Sequence, residues 1–268
     1  MRSRFLVFTA VVGALAVGVV VTGCGSSSDS SGNSDTLLVG SDIPYPPFEQ
    51  GKAPDYDGFD IELVNEIAKR TGKTVEYQDT AFDTIFRDVA QGKFDMVASA
   101  STITPEREQT VDFSDPYYEA NQAVVVATGS DISSVSDLDG KIIGAQDGTT
   151  GESYANDEIS ASSVRGYGQG PEALQAAKAG QVDAVIIDEP VAQDALKNQS
   201  GIEIATVIST GELYGLAFAQ DSDSLREEVN GALKEIKDDG TLQKLYDKWF
   251  PGVEVPASVL DGTNESLK

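Results

Sequence analysis

The chain has 268 residues, with 44 acidic against 19 basic side chains, one cysteine and no histidine. Its formal net charge of −25 would repel nucleic acid and anionic membrane surfaces. The lack of histidine removes the Ser-His-Asp triad and the most common metal ligand, so we expect no metal site and no cofactor.

The N-terminus has the pattern of a secretory signal. Two arginines precede an apolar stretch over residues 5–21, and small residues precede Cys24. This arrangement resembles the lipobox of bacterial lipoproteins, so we expect removal of residues 1–23 and acylation of Cys24. An uncleaved membrane anchor or a chance cysteine is the alternative. Residues 24–35 are rich in serine and glycine and are expected to form a flexible linker.

From residue 36 onward, strand and helix patterns alternate. The predicted elements of the first part are a strand at 37–40, a helix at 59–71, a strand at 74–78, a helix at 82–91, and strands at 94–98 and 121–127. This alternation predicts a mainly parallel sheet that binds ligands at the carboxyl ends of its strands. Thr104 and Pro105 predict the start of another helix, with Arg107 in its first turn.

The second part repeats the same alternation. Its predicted elements are a strand at 141–145, a helix at 150–157, a strand at 163–167, a helix at 172–179, strands at 182–187 and 213–219, and helices at 225–237 and 241–249. The outline is therefore two similar α/β lobes. These patterns alone assign the last two helices to neither lobe. Residues after Pro251 are polar and are expected to be loosely held.

Six segments in a fixed order resemble those of one protein family. They are Val-Gly-Ser-Asp-Ile-Pro-Tyr-Pro-Pro-Phe-Glu (39–49), Gly-Phe-Asp-Ile-Glu-Leu (58–63), the 94–107 segment, Val-Asp-Phe-Ser-Asp-Pro-Tyr-Tyr (111–118), Gly-Thr-Thr (148–150) and Val-Asp-Ala-Val-Ile-Ile-Asp (182–188). On these motifs the chain resembles the bacterial extracellular solute-binding proteins of family 3, the polar amino acid-binding lipoproteins of ATP-driven importers. The likeness covers roughly residues 36–250.

The resemblance implies a fold of the periplasmic binding protein type II. Two Rossmann-like α/β lobes are joined by two hinge strands, and the ligand cleft lies between them. Lobe 1 would comprise residues 36–122 and 214–250, lobe 2 residues 123–213, and a C-terminal tail residues 251–268. The last two helices would then belong to lobe 1.

Arg107 is the principal binding residue that the resemblance implies. Its position matches the family arginine that pairs with the α-carboxylate of the ligand, and a planar guanidinium suits such a pair. Thr102 matches a neighbouring donor, and Thr150 matches a donor from the second lobe. Gly148 would let the backbone approach closely there. An ordinary helix cap is the alternative for Thr150.

Asp188 matches the family acid that receives the α-ammonium group of the ligand. It follows an apolar strand, so its carboxylate is expected at the tip of that strand, where a buried charge needs a partner. Ser99 and Ala100 match positions whose side chains or backbone carbonyls complete the ammonium site.

Four further positions match residues around the ligand side chain. Tyr45 and Phe59 correspond to aromatic walls, while Asp42 and Gln146 face the side chain itself. No lysine or arginine occupies these positions, so an acidic ligand would meet Asp42 without a compensating cation. Glutamine or a basic amino acid is therefore favoured over glutamate and aspartate.

The resemblance implies a monomeric receptor, anchored by lipid to the outer face of the cell membrane, or in the periplasm if a second membrane is present. It would bind a free polar L-amino acid, deliver it to a membrane permease and catalyse nothing. One alternative is a prephenate-type (cyclohexadienyl) dehydratase on the same scaffold, with Asp188 and Asp42 as candidate acids. Another is an amino acid sensor protein.

Overall fold

The computed structural model describes residues 36–264. The predicted signal segment, Cys24 and the predicted linker lie outside the described residues, as do the last four residues of the chain. Within residues 36–264, none of the helices is both long enough and apolar enough to span a membrane.

The strands of the described residues form two five-stranded sheets and a small hairpin. In chain order the strands are β1 Thr36–Ser41, β2 Gln50–Lys52, β3 Asp55–Asp57, β4 Thr74–Asp79, β5 Met96–Val97, β6 Val111–Phe113, β7 Tyr118–Ala127, β8 Ile142–Gln146, β9 Ser163–Tyr167, β10 Ala184–Asp188, β11 Ile202–Tyr214 and β12 Ala217–Ala219. The helices are α1 Phe59–Thr71, α2 Phe82–Ala90, α3 Thr150–Asp157, α4 Gly170–Lys178, α5 Glu189–Asn198, α6 Asp223–Asp238, α7 Thr241–Trp249 and α8 Ala257–Leu260.

Each sheet is the centre of one lobe. The first sheet has the order β4-β1-β5-β12-β6 and the second the order β11-β7-β10-β8-β9. The predicted parallel pairing holds for β4, β1 and β5, but β12 runs antiparallel to both β5 and β6. In the second sheet β10, β8 and β9 are parallel, and β7 is antiparallel to β10 and β11. Two mixed sheets with covering helices confirm the predicted α/β fold class.

The chain passes between the two sheets twice. It leaves the first sheet after β6, enters the second with β7, and returns between β11 and β12. Helices α6 and α7 pack on α1 of the first lobe. The exact lobe boundaries proposed from the sequence stay a prediction.

Local sequence signals explain why α1 has the predicted bounds. Asp60 and Glu62 lie in its first turn, while Lys69 and Arg70 lie in its last, so both ends complement the helix dipole. Gly72 follows with φ 70°, the left-handed conformation that ends a helix at little cost for glycine. Helix α1 therefore begins and ends where the sequence indicates.

Two predicted elements have a different form in the structure, and two observed elements were not predicted. The helix expected at Pro105 is only a 3-10 helix, Arg107–Gln109, because the chain must enter β6 two residues later. The strand predicted at 213–219 is the end of β11 followed by β12, since the chain crosses between the sheets at 215–216. Helix α5 and most of β11 were not predicted.

The prediction of a loosely held C-terminal tail is wrong for residues 251–264. Val255 and Val259 are buried and belong to the largest hydrophobic core cluster of the described residues. The side-chain amide of Asn264 donates a hydrogen bond to the carbonyl oxygen of Phe113 at 3.0 Å. The two valines within this polar segment were the available signal for its packing.

Candidate functional site

A small cavity lies where loops of the two lobes meet, beside the carboxyl ends of β1, β5, β8 and β10. Nine of the ten predicted binding residues line it, namely Asp42, Tyr45, Ser99, Ala100, Thr102, Arg107, Gln146, Thr150 and Asp188. Phe82 and Thr149 line it as well and were not predicted. Both follow the carboxyl end of a strand, the place where α/β sheets bind ligands, and this position was the available signal.

Arg107 is held in place by both lobes. Its Nη1 donates to the carbonyl oxygen of Thr102 at 2.8 Å and its Nη2 to that of Gly148 at 3.1 Å. The guanidinium carbon lies 4.5 Å from the centre of the Phe86 ring and 5.3 Å from that of Phe82. Within residues 36–264, two of its five N–H groups are thus used, and three remain for an anion. Burial lowers the pKa of Arg107 to about 10, so the group stays charged at neutral pH.

Asp188 supplies a negative charge from the second lobe. The hydroxyl of Tyr45, from the first lobe, donates to its Oδ2 at 2.7 Å, and the amide of Gln122 donates to its Oδ1. Burial, together with the charge of Glu212, raises the pKa of Asp188 to about 6. A cation next to this carboxylate would offset the cost of burying the charge.

Asp42 is a second buried carboxylate in the cavity. The side-chain amide of Gln146, from the second lobe, donates to it, and the Asp42 backbone N–H donates to the Ser99 hydroxyl at 3.0 Å. Burial is the main reason that the pKa of Asp42 is raised to about 7, and the charges of Asp79 and Asp83 add to it. Asp42 and Gln146, predicted to face the ligand side chain, therefore contact each other across the cleft.

Ala100 has an unusual backbone conformation that a buried aspartate supports. Its φ is 43°, a region that few residues other than glycine adopt. Its N–H donates to Oδ2 of Asp60 at 2.8 Å, and the Tyr117 hydroxyl donates to the same oxygen at 2.7 Å. Asp60 is fully buried, and burial raises its pKa to about 7. Asp60 therefore fixes the turn that lines the cavity, a role that sequence reasoning missed.

Replacing Asp60 with alanine is expected to lower the free energy of unfolding by about 2–4 kcal/mol, because two buried donors lose their acceptor at about 1–3 kcal/mol each. Part of this loss is offset, because the variant no longer buries an acidic group. Tyr117→Phe removes only one of the donors and is expected to cost about half as much. Urea denaturation of the three proteins checks both values, and an Asp60→Ala variant as stable as the wild type would contradict the assignment.

The hydroxyl groups of Thr102 and Thr150 both donate hydrogen bonds within the protein. Each donates to Oε2 of Glu212 at 2.7 Å, and the amide of Gln122 donates to Oε1 at 3.1 Å. Helix α3 is capped by Thr149, whose hydroxyl oxygen accepts from the backbone N–H of Glu152 at 3.2 Å, and not by Thr150. Glu212 was not predicted, because it lies outside the six motifs.

The structure does not bring Phe59 to the cavity, so its predicted role as a wall for the ligand side chain is wrong. Phe59 is fully buried, and its ring centre lies 5.4 Å from that of Tyr246 and 5.1 Å from that of Phe250. It packs there because α7 covers the start of α1. Phe82 contributes the aromatic surface at the cavity instead, together with Tyr45.

The fold and the cavity together define a two-lobed protein that binds a small solute. The model of the bacterial extracellular solute-binding proteins, family 3, matches residues 37–252. The chain belongs to this family.

Individual relatives agree with this assignment. The arginine-binding extracellular protein ArtP of Bacillus subtilis is 36% identical over 239 residues, which are 87% of this chain and 93% of ArtP. The structure of an ancestral arginine-binding protein bound to arginine has a TM-score of 0.76 and 42% identity, covering 81% of this chain and 98% of that one. The structure of AncCDT-1, described as an ancestral amino acid-binding protein and a precursor of cyclohexadienyl dehydratase, has a TM-score of 0.74 and 39% identity, covering 81% and 95%.

Proposed function

We propose that this protein is the substrate-binding lipoprotein of an ATP-binding cassette importer. It binds one free L-amino acid between its lobes and delivers it to a membrane permease. A lipid on Cys24 anchors it, as a monomer, at the outer face of the cell membrane. Among polar amino acids we propose a basic one as the preferred ligand, with arginine first and glutamine as the alternative.

The charges that line the cavity carry this proposal. Arg107 comes from the first lobe and has three N–H groups left for an α-carboxylate. Asp188 comes from the second lobe and suits an α-ammonium group. Asp42 then remains as a third charge, which fits a cationic side chain and repels an acidic one. The names of ArtP and of the ancestral protein support arginine.

A thermal-shift screen with the twenty common amino acids tests the proposal. Ligand that binds only the folded state at 100 times its Kd stabilises that state by about 2.7 kcal/mol. For a chain of this size we expect the Tm to rise by about 5–10 °C with L-arginine. Smaller rises are expected with L-lysine or L-glutamine and none with L-glutamate. A screen in which no amino acid raises the Tm would refute the proposal.

The affinity for L-arginine is expected to depend on pH through Asp42 and Asp188. Their pKa values are raised to about 7 and about 6, and only the ionised forms attract a cation. The affinity for arginine is therefore highest above about pH 8, where both groups are ionised, and falls as the pH drops through about 7 and about 6. Since one pKa unit corresponds to about 1.4 kcal/mol, we expect Kd to rise at least about tenfold from pH 8 to pH 5. Titration calorimetry over this range checks the slope.

The stability of the protein alone should change with pH in the opposite direction, which provides a control. A carboxyl group with a raised pKa binds more protons in the folded than in the unfolded chain between about pH 4 and pH 7. Asp42, Asp60 and Asp188 therefore add to the free energy of unfolding as the pH falls through this range. An affinity for arginine that is equal at pH 8 and pH 5 would contradict the assigned roles.

A dehydratase activity is the second candidate, because AncCDT-1 is described as a precursor of such an enzyme. AncCDT-1 is itself named an amino acid-binding protein, so the likeness favours binding. Asp42 and Asp188 are the candidate acids of the cavity, and both accept hydrogen bonds from side chains of the opposite lobe. Prephenate mixed with the purified protein should remain unchanged, and its consumption would establish the enzyme instead.

A further inference from the structure

Glu212 connects residues from both lobes through a single carboxylate. Thr102 follows β5 of the first sheet, and Thr150 begins α3 after β8 of the second sheet. Both hydroxyls donate to the same oxygen, Oε2, at 2.7 Å. The other oxygen accepts from Gln122 at 3.1 Å, and Gln122 also donates to Asp188. Hydrogen bonds to an ionised acceptor are stronger than those between neutral groups.

A bulge in β11, which ends where the chain returns to the first sheet, directs Glu212 toward the cleft. Ile208 of β11 is paired with Gln122 of β7, but the next pair along the strands is Glu212 with Ala120. Two extra residues on β11 are thus accommodated between these pairs, and Gly211 there has φ 60°. Bulges change the direction in which a following side chain points and are frequent beside functional sites. The orientation of Glu212 is therefore built into the backbone of the strand.

The chemistry of threonine makes these bonds informative. A hydroxyl carries one proton, so Thr102 and Thr150 cannot donate to another acceptor while both donate to Glu212. The resemblance implies that Thr102 and Thr150 are donors at the α-carboxylate of a ligand. A carboxylate of the chain itself therefore makes the same bridge between the lobes that the ligand is expected to make.

We propose that Glu212 is a positioning residue that stabilises the closed arrangement of the lobes in the absence of ligand, by bonding the hydroxyls of Thr102 and Thr150 at once. Glu212 acts through these two threonines, and its effect does not depend on which amino acid the protein binds. Closure by this internal carboxylate keeps a population of the protein in the form that the ligand needs. The inference goes beyond the proposed function and does not depend on the identity of the ligand.

Distance measurements in the protein without amino acid test this inference. Spin labels are placed at Lys69→Cys on α1 and Asn156→Cys on α3, both exposed, in the full chain carrying Cys24→Ser. Pulsed electron resonance then gives the populations of short and long distances between the lobes. In Glu212→Ala we expect the ratio of closed to open protein to fall about tenfold or more, because the carboxylate that links the two threonines is lost and a single hydrogen bond to a charged group is worth about tenfold or more in an equilibrium.

Variants of the partner hydroxyl separate this role from a general loss of stability. Thr150→Val removes the hydroxyl at nearly constant shape and should also open the protein, whereas Thr150→Ser retains it and should not. The effects of Glu212→Ala and Thr150→Val should not add in the double variant, because both remove the same bond. Glu158→Gln, an exposed charge directly after the end of α3, is the matched control and should leave the distances unchanged.

Three results would overturn the inference. They are a wild-type protein without a short-distance population, a Glu212→Ala variant with wild-type distances, and fully additive effects of Glu212→Ala and Thr150→Val. None of these results requires amino acid binding. Failure of the inference is therefore distinguishable from failure of the thermal-shift screen, which addresses the proposed ligand.

Discussion

Replacing Arg107 with alanine is expected to weaken the binding of L-arginine about 30-fold or more. Removing one partner of a buried, hydrogen-bonded charge pair typically costs 2–5 kcal/mol, and each 1.4 kcal/mol is tenfold in Kd. The guanidinium is fixed by the carbonyl oxygens of Thr102 and Gly148 and by two phenylalanine rings. The Arg107 side chain therefore loses little conformational freedom when a carboxylate binds. Titration calorimetry measures the loss of affinity in Arg107→Ala.

Two further variants make the result specific to this guanidinium. Arg107→Lys keeps the positive charge but replaces the planar guanidinium with an ammonium group, which cannot bond two carbonyl groups and a carboxylate in the same geometry. We therefore expect a Kd between those of the wild type and Arg107→Ala. Arg87→Ala removes an equal charge from α2, where the side chain is 61% exposed and paired with Asp88, and it should leave Kd unchanged. Equal losses in Arg107→Ala and Arg87→Ala would show that only the overall charge matters.

Local signals in the sequence predicted the regular elements well. Helices α1, α3 and α7 have the predicted bounds, as does β9, because caps, glycines and apolar periodicity are properties of neighbouring residues. Elements whose existence depends on distant partners were missed. Strand β11 is an example, since several of its residues are half exposed and its pairing with β7 spans the region between the lobes.

The binding residues came from the family motifs, and the errors came from packing that no motif encodes. Phe59 and Phe82 each begin a helix after a loop, so the sequence alone did not show which of them faces the cavity. The docking of α7 on α1 decides this by covering Phe59. Glu212 is separated by 62 residues from Thr150 and by 110 from Thr102, so only the folded chain reveals their contact.

Replacing Asp42 with asparagine is expected to change which amino acid the protein prefers. L-Arginine should lose about 30-fold or more in affinity, because its side chain loses the partner of its charge in a buried site. L-Glutamine should change by less than about threefold, since the asparagine oxygen still accepts from a neutral amide at about 1 kcal/mol or less. Asparagine has nearly the shape of aspartate and can still accept from Gln146, which now donates to Asp42. Titration calorimetry with both ligands measures the two changes.

The matched control for this variant is Asp83→Asn. Asp83 lies in the first turn of α2, is exposed, and is not among the residues that line the cavity, yet its charge contributes to the raised pKa of Asp42. If long-range electrostatics selects the ligand, both variants should weaken arginine binding to a similar degree. If direct contact with Asp42 selects the ligand, only Asp42→Asn should weaken arginine binding, because the interaction of an exposed charge such as Asp83 is screened by salt. A fall in affinity that is equal for arginine and glutamine would instead assign Asp42 to the shape of the cavity.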